Sequence, residues 1–184
     1  QSAIDGEYGR NHEGELEFRG VRWRETFWFY RTPNNHVPFS ILARLSLAAW
    51  RGVARPELPF VNETALRMPA YLAGIAAIGC VAFFLWRIGE PLAAAFAAWF
   101  MALHPWHTRY ASEARGFGVV IALVPLTLIA LVAALHRGTW ARWALFGLLQ
   151  FLLLWTFTGG TYLLVLVNLA AAEGHPASVM DMSF

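Results

Sequence analysis

The sequence predicts an all-α fold, a polytopic bundle of transmembrane helices with an N-terminal extramembrane loop and an in-plane amphipathic helix. The 184 residues are 58% hydrophobic and only 14% charged, whereas a soluble domain is about 25% charged. The charges are also uneven, because eight of the twelve acids precede residue 64. A net charge of +2 is too small to favour nucleic acid as a partner.

We expect one domain, which is a fragment of a longer protein. Residues 1–64 are predicted to form a loop on the outer face of the membrane, and residues 174–184 a tail. The apolar runs between them predict transmembrane helices at about 65–88, 91–104, 115–136, 142–157 and 160–173. Whether 143–172 crosses the membrane once or twice stays open, although the glycine pair at 159–160 favours two short helices.

The helix at 38–52 is predicted to lie in the membrane plane, because spanning takes about 20 apolar residues and this stretch is shorter and charged. Ser40, Arg44 and Arg51 are predicted to lie near one face, interrupted by Leu47, and Leu42, Leu45 and Ala49 on the other. Just before it, aromatic rings interleaved with arginines at 22–31 favour a membrane–water interface over an ordinary soluble loop.

Residues 104–115 (HPWHTRYASEAR) form a polar segment between two charge-free runs. Ionisable groups are costly inside a bilayer, so this segment is predicted to lie at a membrane face. If Arg87 is cytoplasmic, alternation of the helices places 104–115 and 1–64 together on the outer face. Arg109 and Arg115 then oppose the positive-inside tendency, which favours a role as partners of an anion.

These two segments contain groups suited to transfer chemistry. A carboxylate such as Glu7 or Glu113 can act as a general base or help to hold a metal ion, and an arginine can bind phosphate through two hydrogen bonds. An alternative of equal weight is a solvated loop in which Glu113 pairs with Arg109 or Arg115 on the surface. The histidines at 36, 104 and 107 match no zinc motif in their spacing. The single cysteine, Cys80, is predicted to be a packed core residue.

Three motifs in order resemble a known family. They are 34–39 (NNHVPF), 65–74 (ALRMPAYLAG) and 104–115, where His-Pro is followed by Tyr and Glu-Ala-Arg. Together they are similar to membrane glycosyltransferases of the GT-C superfamily, in particular glycosyltransferase family 39, the dolichyl-phosphate-mannose protein mannosyltransferase-like group. The resemblance covers roughly residues 4–172.

The resemblance implies a glycosyltransferase of the bacterial inner (plasma) membrane whose active site faces the periplasm or the exterior. Its expected partners are a polyprenyl-phosphate-sugar donor, a lipid, glycan or protein acceptor, and the lipid bilayer. The resemblance implies no certain cofactor and leaves a divalent cation open. The expected catalytic residues are Asp5 and Glu7, and the expected substrate-binding residues are His36, Arg67, Arg109, Glu113 and Arg115.

The chain departs from the family pattern at two places. Gly6 separates the two acids that are often adjacent in the family, so either acid could be the functional one, and Val37-Pro38 replaces the usual Pro-Pro. A second hypothesis is a transporter or flippase-like protein for lipid-linked saccharides. The apolar runs lack internal charges and show no clear repeat, which favours the enzyme.

Overall fold

The computed structural model describes residues 6–10, 16–20, 23–28, 36–55 and 62–173. The described residues form eight α-helices, a 3₁₀ turn at Thr158–Gly160 and one β-hairpin. The elements are β1 (Gly6–Arg10), β2 (Leu16–Gly20), α1 (Trp23–Trp28), α2 (Val37–Ala54), α3 (Glu63–Arg87), α4 (Pro91–Leu103), α5 (Pro105–Ser112), α6 (Phe117–Arg137), α7 (Trp140–Thr156) and α8 (Thr161–Glu173). The all-α prediction is therefore confirmed for the bundle.

The hairpin was not predicted, because residues 1–64 were expected to form a loop with one in-plane helix. β1 and β2 pair antiparallel, with Glu7 opposite Arg19 and Tyr8 opposite Phe18 in backbone register. Each strand is only five residues long and contains glycine and charge, so the alternating apolar pattern that predicts a half-buried strand is weak here.

The helices lie close to their predicted positions because Pro and Gly mark their ends. Pro38, Pro91 and Pro105 occupy the first turn of α2, α4 and α5, where the missing proline N–H costs nothing. Gly138 ends α6 in the left-handed conformation, with φ 59°. The stretch 143–172 contains two helices, which are separated by Phe157 and the 3₁₀ turn. α5 is an addition, since its residues were expected only as a polar segment.

α6 is the central helix of the bundle. Near its start it joins a cluster of buried residues that also takes side chains from four other helices: Phe39 and Ala43 (α2), Leu66 and Ala70 (α3), Leu153 (α7) and Leu164 (α8). Near its end it joins a second cluster with α7 and α8 alone, formed by Ala130, Leu131, Phe146 and Val167. α3 therefore packs tightly on α6 only over its first half.

Small residues allow α5 to approach α3 closely. A Cβ added to Gly74 would lie 2.5 Å from the Ala111 Cβ, a separation that real side chains do not tolerate. The short helix that contains the predicted polar residues is thus held directly against the first half of α3.

Two described helices, Glu63–Arg87 and Phe117–His136, are long and apolar enough to cross a membrane. Pro91–Leu103 and Thr158–Ala172 are apolar but shorter. By length and composition, two of the five predicted transmembrane helices meet the requirement for a membrane span, and the polytopic arrangement stays a prediction.

The two faces of α2 differ in burial. Ser40 and Leu47 on the first face are buried, whereas Leu42 and Leu45 on the second face are 42% and 50% exposed. The Arg44 guanidinium donates to the Thr26 hydroxyl at 2.6 Å and lies 4.3 Å from the centre of the Trp23 ring. The polar face is therefore used for packing within the protein, and the leucine face points away from it.

Candidate functional site at the polar end of the bundle

The polar end is the end of the bundle formed by α2, the first turns of α3 and α6, the last turn of α7, and α5. Two hydrogen bonds fix α2 and α3 there. The Ser46 hydroxyl donates to the Ala65 carbonyl at 2.6 Å, and the Asn62 side chain caps α3 by accepting from the Ala65 N–H at 2.9 Å. Satisfying a free N–H at a helix start in this way stabilises the helix by about 1 kcal/mol.

His36, immediately before α2, is buried and oriented by the backbone of another helix. Its Nδ1 lies 2.6 Å from the carbonyl oxygen of Thr156 in the last turn of α7. A carbonyl can only accept a hydrogen bond, so Nδ1 must be the protonated nitrogen. In the neutral ring, Nε2 is then the nitrogen that can accept a proton or a hydrogen bond.

The ring of His36 is held by aromatic packing and by a glycine. Phe117 meets it edge-on with centroids 4.8 Å apart, and Phe157 lies 6.1 Å away. A Cβ added to Gly116 would overlap the Cβ and ring of His36. We call these residues (His36, Gly116, Phe117, Thr156 and Phe157) the His36 junction, and they join the starts of α2 and α6 to the end of α7.

The last turn of α5 and the loop that follows it contain an ion cluster of Arg109, Glu113 and Arg115. Arg109 Nε donates to Glu113 Oε1 at 2.9 Å, and Arg115 Nη1 lies 3.9 Å from Glu113 Oε2. The hydrogen bond from Arg109 lowers the pKa of Glu113 below its usual value, and the same bond raises the pKa of Arg109. Glu113 is therefore a charged acceptor at neutral pH. The surface pairing that the sequence left as an alternative is present.

The structure joins some of the predicted site residues and separates others. Arg115 directly precedes Gly116, so the ion cluster is continuous in sequence with the His36 junction. Arg67 pairs with Glu63 at 3.1 Å on the exposed side of α3, and no described hydrogen bond or ion pair joins Arg67 to the cluster. Glu7 lies in β1, and Asp5 lies outside the described residues.

Sequence reasoning missed two features of this end. His107 in α5 is 9% exposed, and its buried Nδ1 has no hydrogen-bond partner in the described part of the chain. Buried polar atoms are normally hydrogen-bonded, so this nitrogen is an exception at the polar end. Its position three residues after His104 was available as a signal. No signal in the sequence could have identified the Thr156 carbonyl, because every residue has a backbone carbonyl.

No cation site is evident in this region. Within residues 6–10, 16–20, 23–28, 36–55 and 62–173, no group of three His, Cys, Asp or Glu side chains could hold a metal ion. The groups that these residues offer are one imidazole, one ionised carboxylate and two guanidinium groups.

Comparisons with known proteins show no family for this chain. No protein-family model matches it, and no solved structure matches it. The chain is similar to an adenosylhomocysteinase from Gloeobacter violaceus over 35 residues, which are 63% identical. That match covers 16% of this chain and 8% of the adenosylhomocysteinase. The chain thus spans less than a tenth of that protein's length.

Proposed function

We propose that the chain is the part of a membrane-embedded glycosyltransferase that binds a polyprenyl-phosphate-linked sugar and transfers the sugar to an acceptor at the polar end. The observation on which this proposal rests is the His36 junction. It connects the segment before α2 to the loop of Arg109, Glu113 and Arg115, the two regions in which the sequence placed substrate-binding residues.

The exposed surface supports embedding in a bilayer. Only 17% of the apolar window of α3 is buried, whereas the core helix of a soluble protein is mostly buried. Large apolar side chains are also exposed along α4, α7 and α8, among them Phe96, Phe100, Leu148, Phe151, Leu166 and Leu169. A continuous apolar surface of this extent is unusual on a soluble monomer and is the surface that lipid covers.

The exposed leucines of α2 support the in-plane position. Leu42 and Leu45 point away from the protein while the opposite face packs inward. A helix that lies at the membrane surface buries such an apolar face among the lipid head groups. α2 then runs along the membrane surface beside the site, where a lipid-linked donor presents its phosphate.

In the proposed reaction, an acceptor hydroxyl attacks the anomeric carbon of the donor sugar. The bond between that carbon and the phosphate oxygen breaks, and the polyprenyl phosphate leaves with the electron pair. Asp5 or Glu7 takes the proton of the hydroxyl, and His36 Nε2 orients a sugar or acceptor hydroxyl. Arg109 and Arg115 stabilise the charge that develops on the departing phosphate.

The ion cluster supports this assignment of charge. Both guanidinium groups flank a single carboxylate, so the cluster carries a net positive charge. Arg109 is 62% exposed and Arg115 is 67% exposed at the side chain, which leaves both within reach of an anion from the membrane surface. Glu113 then serves to position the two arginines rather than to accept a proton.

The experiment is a transfer assay with the intact protein in liposomes, supplied with undecaprenyl-phosphate-linked radiolabelled mannose or glucose. We expect label to leave the donor lipid, and Asp5→Asn combined with Glu7→Gln to slow this by at least about 10²-fold, the usual minimum effect of losing a general base. Glu90→Gln, at the other end of the bundle, is the matched control and should not change the rate. Unchanged transfer in the Asp5/Glu7 double variant would overturn the assignment of these acids.

A further inference from the structure

A second group of cationic side chains lies at the other end of the bundle, away from the proposed transfer site. α3 and α6 both start at the polar end, where they are in tight contact: a Cβ added to Gly118 would lie 2.8 Å from the Ala70 carbonyl oxygen. Further along they separate, because the second buried cluster takes no residue from α3. A cleft of about 410 Å³ lies between their last turns.

Part of the cleft lining is apolar. α3 and the residue after it supply two phenylalanines and an isoleucine, and α6 supplies two aliphatic side chains: Phe83, Phe84, Ile88, Ile129 and Val132. Side chains of this kind accommodate a hydrocarbon chain.

The mouth of the cleft is basic. Arg87, His136 and Arg142 line it, one from each of α3, α6 and α7. Arg142 Nη1 donates to the Ala133 carbonyl at 2.9 Å, which fixes the guanidinium at the mouth, and a guanidinium has further N–H donors. The described lining contains no carboxylate.

We propose that this cleft binds the phosphate head group of an anionic lipid, with the start of the lipid chain against the apolar wall. Arginines suit phosphate because their N–H groups match its oxygens in pairs. Basic pockets between membrane helices bind lipid head groups in this manner. A free phosphate ion shares the head-group chemistry but would leave the apolar wall without a contact. The inference is independent of the transfer reaction, since it uses other residues at the opposite end.

The test is lipid retention measured by native mass spectrometry on the intact protein in a non-ionic detergent. Dioleoylphosphatidic acid is the probe, dioleoylphosphatidylcholine is the zwitterionic comparison, and inorganic phosphate is the competitor. We expect phosphatidic acid to be retained in preference to phosphatidylcholine and not to be displaced by millimolar phosphate. Displacement by inorganic phosphate would identify a phosphate-ion site and overturn the lipid assignment.

Two variants locate the binding. Arg87→Gln combined with Arg142→Gln should weaken retention of phosphatidic acid about tenfold or more, as expected for the loss of two charges beside a lipid phosphate. Arg24→Gln combined with Arg55→Gln removes two exposed arginines elsewhere and should leave retention unchanged. Equal retention in both double variants would overturn the proposal.

A cleft-filling variant keeps the test decisive if the charge variant does not fold. Val132→Phe narrows the cleft and leaves Arg87, His136 and Arg142 in place. It should reduce retention of phosphatidic acid while gel filtration and circular dichroism stay as in the parent protein. A folded Val132→Phe protein with full lipid retention would show that the lipid lies outside the cleft.

Discussion

At the scale of single residues, the His36 junction shows how packing orients one histidine. Its Nδ1 donates to the Thr156 carbonyl, which makes Nε2 the acceptor nitrogen of the neutral ring. The packing of its ring depends on the absence of a side chain at position 116. The groups that pack around His36 therefore determine its tautomer and its orientation.

Gly116→Ala tests that packing. Gly116 has φ −71° and ψ −1°, which alanine adopts freely, so any destabilisation must come from the overlap with His36. Overpacking of this kind costs about 1–3 kcal/mol, and we expect a lower midpoint of thermal unfolding in detergent. Gly147→Ala is the control, because an added Cβ there meets no atom within 4 Å. Equal midpoints for the two variants would contradict the observed packing.

The pair of Arg109 and Glu113 predicts a pH dependence. The pKa of Glu113 is lowered in the folded protein by the hydrogen bond from Arg109. The stabilisation from this pair is therefore complete above the usual glutamate pKa and is lost as the pH falls through the lowered value. Arg109→Gln should raise the pKa of Glu113, as measured by NMR on ¹³C-labelled glutamate carboxyls. Arg67→Gln, whose arginine pairs with Glu63, should leave it unchanged, and an equal rise in both variants would exclude Arg109 as the cause.

At the scale of helices and strands, the sequence was informative where Pro, Gly and charge mark the ends of apolar runs. α3, α4, α6, α7 and α8 begin and end close to their predicted positions for that reason. The hairpin and α5 lie in mixed polar sequence, where no period dominates. The sequence separated the two faces of α2 but did not indicate that the face with Ser40 and Leu47 would be the buried one.

The candidate site could be predicted from the sequence only in part. His36, Glu113 and Arg115 were identified by residue type and by resemblance, and the structure brings their segments together. The backbone carbonyl that orients His36 and the buried state of His107 depend on which helices meet, and residue type alone does not encode that.

α7 and α8 are joined by an amide pair, which predicts a measurable coupling between the two helices. The Asn168 amide donates to the Gln150 side-chain oxygen at 2.9 Å, between apolar runs on both helices. Such bonds in membranes average about 0.6 kcal/mol and reach about 1.7 kcal/mol. A double-mutant cycle of Gln150→Ala and Asn168→Ala, read by unfolding in mixed micelles, should give a coupling in that range. The control cycle pairs Gln150→Ala with Phe96→Ala on α4 and should be additive, and additivity in both cycles would show that the bond does not stabilise the packing.

At the scale of the whole molecule, the two ends of the bundle differ in the groups that they present. The polar end carries His36 and the ion cluster, and the other end carries the basic cleft. α6 connects them over 21 residues, which is about 31 Å at 1.5 Å per residue, close to the roughly 30 Å of a bilayer core. Exposed Trp106 and Tyr162 lie near one end, and exposed Trp86 and Trp140 near the other, as expected for rings at the two membrane interfaces.

This arrangement predicts that the two ends lie on opposite sides of a membrane. Single cysteines are introduced in a Cys80→Ala background at Ser112, beside the ion cluster, and at Thr139, beside the basic cleft; both positions are exposed. With a membrane-impermeant maleimide on intact cells, Ser112→Cys should react at once and Thr139→Cys only after permeabilisation. Gly6→Cys should react together with Ser112→Cys, because the proposed site needs the acids of the first segment on the same face as the arginines.

Reaction of positions 112 and 139 from the same side would show that α6 does not cross the membrane. Reaction of positions 6 and 112 from opposite sides would leave the bundle in the membrane but remove Asp5 and Glu7 from the transfer site.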